Sequence, residues 1–488
     1  MLNSFHTLLN ELMYNAMVRR TMSFTTIPFT LFFFTIFVIN YYVSTTRKPI
    51  FLLIISYFFY GFFDVRFLPY LFLITLITYL STKLIFHFQK FKKLSFSLSV
   101  TVILGMLFYF KYFNFFASLL GTQDSELARL LLPIGISFIT FQSLGYIIDV
   151  YRDRNQYESN LITVALFVSF FPQITSGPIS RAHTLIPQIK KITKATSIAM
   201  ESGLYQFLWG FFKKVVIADN FAKVANLGFD NYTTLFGLPL LISVLAYTIQ
   251  IYGDFSGYSD MAIGLSKMLG FKLKDNFNAP YLATSIKDFW SRWHISLSTW
   301  FRDYVYIPLG GSRVHPIRKY INLMITFIVS GLWHGANLTF ILWGALHGLF
   351  QIIEDLLHKY FGYIKLPKTL KWMITMTLVS FAWIFFRAQT IEQAFVIIQN
   401  IVHFTLPTST EALSNMLKSI GIFKFDAVML IISLSLLILV ELKQYHGSHY
   451  FYQESRISNK SFIWGAGLIL VILLFGAFTN SSFIYFNF

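Results

Sequence analysis

A succession of apolar runs, most of them long enough to cross a bilayer as a helix, constrains the fold of this chain more than any other feature. The runs cover residues 24–43, 49–63, 67–86, 96–120, 130–149, 161–177, 203–218, 235–252, 320–333, 338–353, 371–386, 427–441 and 462–479. Only 12% of the 488 residues are charged, against about 25% in an ordinary soluble domain. Because a spanning helix needs about 20 apolar residues, the sequence predicts an all-α polytopic membrane protein with about ten to twelve transmembrane helices.

Two stretches do not have the pattern of a simple spanning helix. Residues 203–218 are interrupted by Lys213 and Lys214, and residues 255–271 are rich in Gly and Ser. Irregular backbone is tolerated at membrane depth only where protein or water satisfies its polar groups. Both stretches therefore predict re-entrant helices that line a cavity.

The first 21 residues differ from the rest of the chain. They contain Arg19 and Arg20 but no long apolar core, so they make a poor signal peptide. Met22 directly precedes the first apolar run. We interpret residues 1–21 as an N-terminal extension and residues 22–488 as a single integral membrane domain, because neither an internal repeat nor a low-complexity linker divides them.

The formal net charge of +17 would indicate nucleic acid binding in a soluble protein. Here the excess Lys and Arg lie in short loops between apolar runs, as the positive-inside rule predicts. The expected partner is therefore the lipid bilayer and not nucleic acid. Residues 271–320 carry eight Lys or Arg and three Asp, which predicts that they face the cytoplasm. Cysteine is absent, which excludes disulfides, thiolate metal sites and a Cys nucleophile.

One histidine lies where an apolar run ends. His334 comes directly after residues 321–333, and another apolar run begins at Leu338. An ionisable residue at membrane depth is costly and indicates function by default, although a structural histidine bonded between helices is the alternative. Gly331 and Gly335 flank it and permit a close approach to the backbone. His347, one helix further on, could have either a functional or a structural role.

A second candidate, His294, lies in a stretch with regularly spaced apolar residues. Trp290, Trp293 and Leu297 recur at i, i+3 and i+7, which predicts an amphipathic helix with His294 beside its apolar face. Tryptophans on such a helix are typical of a membrane interface. That interpretation leaves the nearby charged residues unexplained, namely Arg292, Arg302 and Asp303.

Several chemistries are compatible with these residues to different degrees. His294 and His334 lie 40 residues apart without an HxxxH or HExxH pattern, so a metal site is poorly supported. A Ser-His-Asp triad lacks the GxSxG turn. Two alternatives stay open. One is a proton-coupled transporter. The other is a histidine general base that activates an acceptor hydroxyl, with basic residues holding a phosphorylated acyl carrier such as coenzyme A.

Several motifs follow one another in a fixed order along the chain. Residues 289–304 read FWSRWHISLSTWFRDY, residues 306–311 read YIPLGG and residues 331–335 read GLWHG. Accompanying stretches are residues 132–138, 141–142, 146–151, 170–172, 176–179, 254–260 and 483–488. Together these motifs resemble the membrane-bound O-acyltransferase (MBOAT) family, and the resemblance extends over nearly everything from Met22 onward. The chain is similar in particular to the bacterial branch with the alginate O-acetyltransferase membrane subunit, peptidoglycan O-acetyltransferases and the D-alanine transferase of teichoic acids.

The resemblance implies a ring of membrane helices around a thin central region. A tunnel there joins a cytoplasmic acyl donor to an extracytoplasmic acceptor. His334 corresponds to the catalytic histidine of the family, and His294 corresponds to its second histidine. On this basis His334 is either the base that activates the acceptor hydroxyl or a transient acyl acceptor, and His294 positions the donor or a proton.

The resemblance also implies the substrates and partners. The donor is acetyl-CoA or another acyl thioester, with no bound cofactor and no metal. The acetyl group passes to an extracytoplasmic partner acetyltransferase of SGNH type. That partner then modifies an alginate-like polysaccharide or peptidoglycan outside the bacterial cytoplasmic (inner) membrane. The alternatives are a transporter or flippase of acylated lipid-linked glycans and D-alanyl transfer to teichoic acid. Residues expected to bind substrate or donor are Trp290, Arg292, Trp293, Arg302, Asp303, Trp333 and Asn337.

Overall fold

The computed structural model of the protein describes residues 22–119, 132–362, 366–403, 406–446, 459–478 and 483–484. Helices joined by turns and loops make up these residues, and no β-strand occurs among them. The predicted all-α class is therefore confirmed. The proposed N-terminal extension, residues 1–21, lies outside the described residues.

Twenty α-helices succeed one another along the described part of the chain. They are α1 (Ile27–Tyr42), α2 (Lys48–Phe63), α3 (Leu68–His87), α4 (Lys92–Leu107), α5 (Phe113–Leu119), α6 (Ile136–Arg152), α7 (Leu161–Ser169), α8 (Ala182–Lys190), α9 (Ser197–Phe212), α10 (Asp219–Asp230), α11 (Leu238–Met268), α12 (Ile286–Arg292), α13 (Ile295–Phe301), α14 (Pro316–His334), α15 (Leu338–Phe361), α16 (Lys368–Arg387), α17 (Ile391–Val402), α18 (Thr410–Ser419), α19 (Lys424–Tyr445) and α20 (Asn459–Phe475). Helices α4, α9 and α13 continue into π-helical segments, which are Phe108–Tyr112, Lys213–Ala218 and Arg302–Tyr306.

Among the described residues, six helical segments are long and apolar enough to cross a membrane. They are Val65–His87, Gln89–Ala117, Leu238–Met268, Leu338–Phe361, Lys368–Arg387 and Lys424–Tyr445. Four shorter apolar helices accompany them, at Ile27–Tyr42, Lys48–Phe63, Ile391–Val402 and Phe462–Phe475. Other predicted runs form helices that fall outside this set, such as α6, which has 17 residues and is buried along most of its length. The chain is therefore a polytopic membrane protein.

The longest helix, α11, shows that the prediction of a broken segment at 255–271 was wrong. Its 31 residues form one continuous helix. The glycines that suggested a break lie against α9 instead, and a Cβ on Gly257 would be 2.7 Å from the carbonyl oxygen of Gly210. Small residues at such a crossing allow two helix backbones to approach closely, as they commonly do in membranes.

We expect Gly257→Ala to lower the free energy of unfolding by about 1–3 kcal/mol, because the added methyl group overpacks a backbone that cannot move aside. Thermal denaturation in detergent measures the change. Gly105→Ala is the matched control, since a Cβ on that helical glycine would meet nothing within 4 Å. Equal stability of the two variants would contradict the close crossing of α9 and α11.

The interruption at Lys213 and Lys214 does not break its helix either, because α9 continues there as a π-helical segment. Both lysines are buried and paired with acids of α11. Lys213 lies 2.5 Å from an oxygen of Asp260, and Lys214 lies 2.6 Å from an oxygen of Asp254. A π segment is a common local adjustment at functional or strained positions in helices. Here it turns two consecutive cations toward buried carboxylates.

Two apolar cores meet in the middle of the described chain. The first is built mainly from α1–α8 with the second half of α11, and the second mainly from α9, α10, the first half of α11 and the helices from α15 onward. Helix α11 belongs to both, with Phe255 in the first core and Tyr252 in the second. Trp333 packs in the first core and Trp343 in the second. The candidate site lies along this boundary.

Candidate active site

His334 is the last residue of α14, which packs against α15 as a tight helical hairpin. A Cβ on Gly331 would lie 2.2 Å from the carbonyl oxygen of Phe340, and one on Gly344 would lie 2.3 Å from the carbonyl oxygen of Phe327. The close approach predicted around the histidine therefore occurs, and the approaching backbone is that of the neighbouring helix. This packing fixes the position of the helix end that carries His334.

The His334 imidazole lies in an aromatic chamber. The side chain is buried, and its ring centre lies 4.8 Å from that of Trp333 and 5.1 Å from those of Trp343 and Phe386. His294 is close enough to interact with it electrostatically. An imidazole so enclosed is shielded from bulk water, which strengthens its interactions with any polar group admitted to the chamber.

The second histidine has an unusual backbone conformation. His294 adopts φ 44° and ψ 54° at the junction of α12 and α13, so the predicted single amphipathic helix was wrong. Residues other than glycine rarely adopt this left-handed conformation, and such strain is concentrated at functional sites. Asn276 holds the junction, since its carbonyl accepts from the Ile295 N–H at 2.9 Å and its Oδ1 accepts from the Ser296 hydroxyl at 2.7 Å.

The His294 ring shares one aromatic neighbour, Trp333, with His334. It is buried, and its ring centre lies 4.5 Å from that of Phe255 and 6.1 Å from that of Trp333. Trp333 therefore contacts the surroundings of both histidines. Two imidazoles that lie 40 residues apart in sequence are brought together by the ends of α12 and α14.

A cavity of about 1010 Å³ opens beside this chamber. Its lining includes Trp290, four residues before His294, and Ser330, four residues before His334. The lining also carries ionisable side chains, namely the basic Lys287, Arg302, Lys319 and His358 and the acids Glu354 and Asp355, among apolar ones such as Leu297 and Phe327. The cavity therefore extends from these charged side chains to the neighbours of both histidines, namely Ile295, directly after His294, and Ser330, one helical turn before His334.

Three of the predicted binding residues lie at the cavity or the chamber. Trp290 and Arg302 line the cavity. Trp333 contacts the rings of both histidines. The Arg302 guanidinium donates to Asp303 at 2.8 Å and keeps a largely exposed side chain, so it can also reach an anionic ligand.

The other four predicted residues make contacts within the protein. Arg292 pairs with Asp288 at 2.7 Å, and Asp303 pairs with Arg181 at 3.0 Å. Trp293 is buried behind the chamber. The side chain of Asn337 caps α15 by accepting from the Thr339 N–H at 3.0 Å and donates to the Gln389 carbonyl at 2.8 Å. Their predicted roles in substrate binding stay predictions.

His347, whose purpose the sequence left open, packs against the wall of the cavity. It is fully buried, and its Nδ1 accepts from the Trp290 indole N–H at 3.3 Å. Its ring centre lies 5.1 Å from that of Trp343, which in turn contacts His334. The contacts therefore favour a packing role in which His347 orients Trp290.

Sequence reasoning did not single out Lys111. Its Nζ donates to the Trp333 carbonyl oxygen at 2.5 Å and to the Ser137 hydroxyl at 2.8 Å. It also interacts electrostatically with His334. The signal was available, because a lone cation inside the apolar run 96–120 is by default a functional hypothesis.

The site offers acid–base and nucleophilic chemistry. Two buried imidazoles and one amine lie around an aromatic chamber. Within the described ranges, no group of three or more His, Cys, Asp or Glu is close enough to hold a metal ion. A buried imidazole can take a proton from a hydroxyl or receive an acyl group, and the basic side chains at the cavity rim can bind phosphate groups.

Comparison with known proteins identifies the family to which the chain belongs. The sequence profile described as MBOAT, membrane-bound O-acyltransferase family, matches residues 150–398, which include His294 and His334. The chain belongs to this family, and the resemblance inferred from its motifs is confirmed. It is therefore an acyltransferase enzyme.

Curated relatives support the assignment along most of the chain. It is 44% identical over 368 residues to the probable alginate O-acetylase AlgI of Pseudomonas aeruginosa, covering 72% of this chain and 70% of that protein. It is 34% identical over 507 aligned positions to the peptidoglycan O-acetyltransferase of Helicobacter pylori, covering 91% and 92%. The teichoic acid D-alanyltransferase of Bacillus subtilis is 29% identical over 257 residues, covering 50% of this chain and 65% of that protein.

Proposed function

We propose that the protein moves an acetyl group from cytoplasmic acetyl-CoA to a hydroxyl acceptor, for O-acetylation of a polysaccharide or peptidoglycan outside the bacterial cytoplasmic membrane. The relatives named as alginate O-acetylase and peptidoglycan O-acetyltransferase support acetyl as the group transferred, since they match more of the chain, at higher identity, than the D-alanyltransferase does.

The observation that carries this proposal is that two buried histidines contact the same tryptophan, Trp333, beside a cavity lined partly by charged side chains. His334 acts as the base that takes the proton of the acceptor hydroxyl, or as a transient acyl acceptor. His294 positions the donor or a proton. Enclosure of the chamber excludes water that would otherwise hydrolyse the thioester.

The lining of the cavity supports an acyl donor that carries phosphate groups. Lys287 and Arg302 on its lining complement phosphate groups, for which lysine and arginine are the usual ligands, whereas Lys319 is paired with Asp355 at 2.7 Å. Its volume of about 1010 Å³ is at the upper end of ordinary small-molecule sites. The basic stretch 271–320 supplies much of this lining, and under the positive-inside rule its charge supports a cavity mouth on the cytoplasmic side. The donor therefore enters from the cytoplasm.

On the opposite side of the membrane, the acceptor is a hydroxyl of the glycan or of a partner acetyltransferase of SGNH type. The runner-up functions are D-alanyl transfer to teichoic acid and transport of acylated lipid-linked glycans. An enzyme breaks the thioester, whereas a transporter moves its substrate without bond exchange. Breakage of the thioester therefore distinguishes an acyltransferase from a transporter.

The test uses purified full-length protein in detergent, where no membrane gradient exists. We expect acetyl-labelled acetyl-CoA to release free thiol and to label a glycan acceptor or partner acetyltransferase. D-alanyl thioester offered in the same assay should be a poor donor. Preference for the D-alanyl donor would contradict acetyl transfer, and failure of both thioesters to release thiol would contradict the proposed enzyme.

A further inference from the structure

Lys111 is a cation at membrane depth beside the proposed catalytic histidine. It lies in the π-helical segment Phe108–Tyr112 inside the candidate span Gln89–Ala117. In the part of the chain that the structure describes, neither Asp nor Glu forms an ion pair with it. A cation without a carboxylate partner is expensive within a membrane and is found there when function requires it.

The hydrogen bonds of Lys111 place its amine next to His334. Nζ donates to the Trp333 carbonyl oxygen at 2.5 Å, and that carbonyl belongs to the peptide bond joining Trp333 to His334. A second N–H donates to the Ser137 hydroxyl at 2.8 Å. An ammonium group has three N–H donors, and no described residue accepts from the third. The side chain is only partly buried.

Acyl transfer creates a negative charge in this region. The acceptor oxygen attacks the thioester carbonyl carbon, a C–O bond forms, and the carbonyl π electrons move to its oxygen while His334 takes the hydroxyl proton. The tetrahedral intermediate then re-forms the C=O bond and breaks the C–S bond, and the leaving thiolate takes the proton from His334. A fixed positive group beside the developing oxyanion lowers this barrier.

We propose that Lys111 is a further catalytic residue, whose ammonium group stabilises the oxyanion formed beside His334. This inference rests on the proposed acyl transfer. The bonds to Trp333 and Ser137 hold the ammonium group in place before the charge develops, so no reorganisation is needed during the reaction. The Lys111 ammonium group has no carboxylate partner among the described residues. The developing oxyanion supplies this counter-charge in the transition state, and the interaction accelerates the reaction.

A neighbouring residue provides the control for a purely structural role. The Tyr112 hydroxyl donates to the Leu332 carbonyl oxygen at 2.8 Å. Lys111 and Tyr112 therefore both cap the last turn of α14, and only Lys111 carries a charge. Tyr112→Phe removes a cap without removing a cation, whereas Lys111→Met removes the cation and keeps an unbranched apolar side chain.

The experiment measures kcat of acetyl transfer by the full-length protein, together with binding of a non-reactive thioether analogue of acetyl-CoA. We expect Lys111→Met to lower kcat by about 10²–10³-fold with analogue binding unchanged, because the interaction forms only in the transition state. Lys111→Arg should recover part of the loss. Tyr112→Phe should retain a rate close to that of the unmodified protein.

Three results would overturn the role of Lys111: an unchanged kcat in Lys111→Met, an equal loss in Tyr112→Phe, or a loss confined to analogue binding. If the Lys111→Met protein does not fold, Lys111→Gln takes its place in the same measurements. Failure of the unmodified protein to transfer acetyl would refute the proposed function itself, and with it this role. Normal transfer by Lys111→Met and Lys111→Gln would refute the role of Lys111 alone.

Discussion

Replacing His334 with alanine is expected to lower the rate of acetyl transfer by about 10²–10⁴-fold, the usual contribution of a general base. The loss should appear in kcat, because in the proposed reaction His334 takes the hydroxyl proton, and the donor cavity is lined by other residues. Thiol release from acetyl-CoA by the purified variant measures the effect. Transfer at the unmodified rate by a folded variant would contradict the assignment.

Two further variants make this prediction specific. His334→Gln keeps most of the side-chain volume in the aromatic chamber, so its loss of activity is separated from loss of packing. His403→Ala makes the same change at an exposed histidine at the end of α17, and we expect it to act like the unmodified protein. Equal losses at His334 and His403 would indicate a general effect on the fold.

Replacing Lys214 with methionine is expected to destabilise the protein by about 3–5 kcal/mol, the cost of leaving buried charges without their partner. Lys214 lies 2.6 Å from Asp254 and 2.9 Å from Asp219. All three side chains are nearly inaccessible. The substitution keeps the apolar stem and removes the charge, so both carboxylates lose their counter-ion. Thermal denaturation in detergent measures the loss.

Arg66→Met is the matched control for this prediction. Arg66 pairs with Asp64 at 2.6 Å, but its side chain is exposed, and exposed pairs contribute little because water screens them. We therefore expect no measurable change in the melting temperature. A Lys214→Met protein as stable as Arg66→Met would show that the buried network does not stabilise the fold.

The sequence predicted the class of fold and singled out His334 as a candidate for a simple physical reason. Long apolar runs indicate a membrane protein directly, because the thickness of the membrane fixes the number of residues that a helix needs to cross it. An ionisable residue at the end of such a run, as at His334, is conspicuous against that background. These signals are local, so one chain suffices to detect them.

The features that sequence did not predict depend on residues far away in the chain. The break at His294 is held by Asn276, whose side chain bonds a residue 20 positions later. The continuity of α11 depends on the facing helix α9, since Gly and Ser alone suggest a break. Lys111 itself stands out in its apolar run, but the carbonyl that it bonds lies 222 positions away. Local composition contains no information about such partners.

The central claim, acetyl transfer across the membrane at His334, is tested most directly in sealed vesicles with labelled acetyl-CoA on the cytoplasmic face only. An acetyl acceptor is supplied on the opposite face. We predict labelled acceptor on the opposite face, an equal amount of free coenzyme A on the cytoplasmic face, and neither product with His334→Ala. Appearance of intact acetyl-CoA on the far side, or equal labelling by His334→Ala, would contradict the claim.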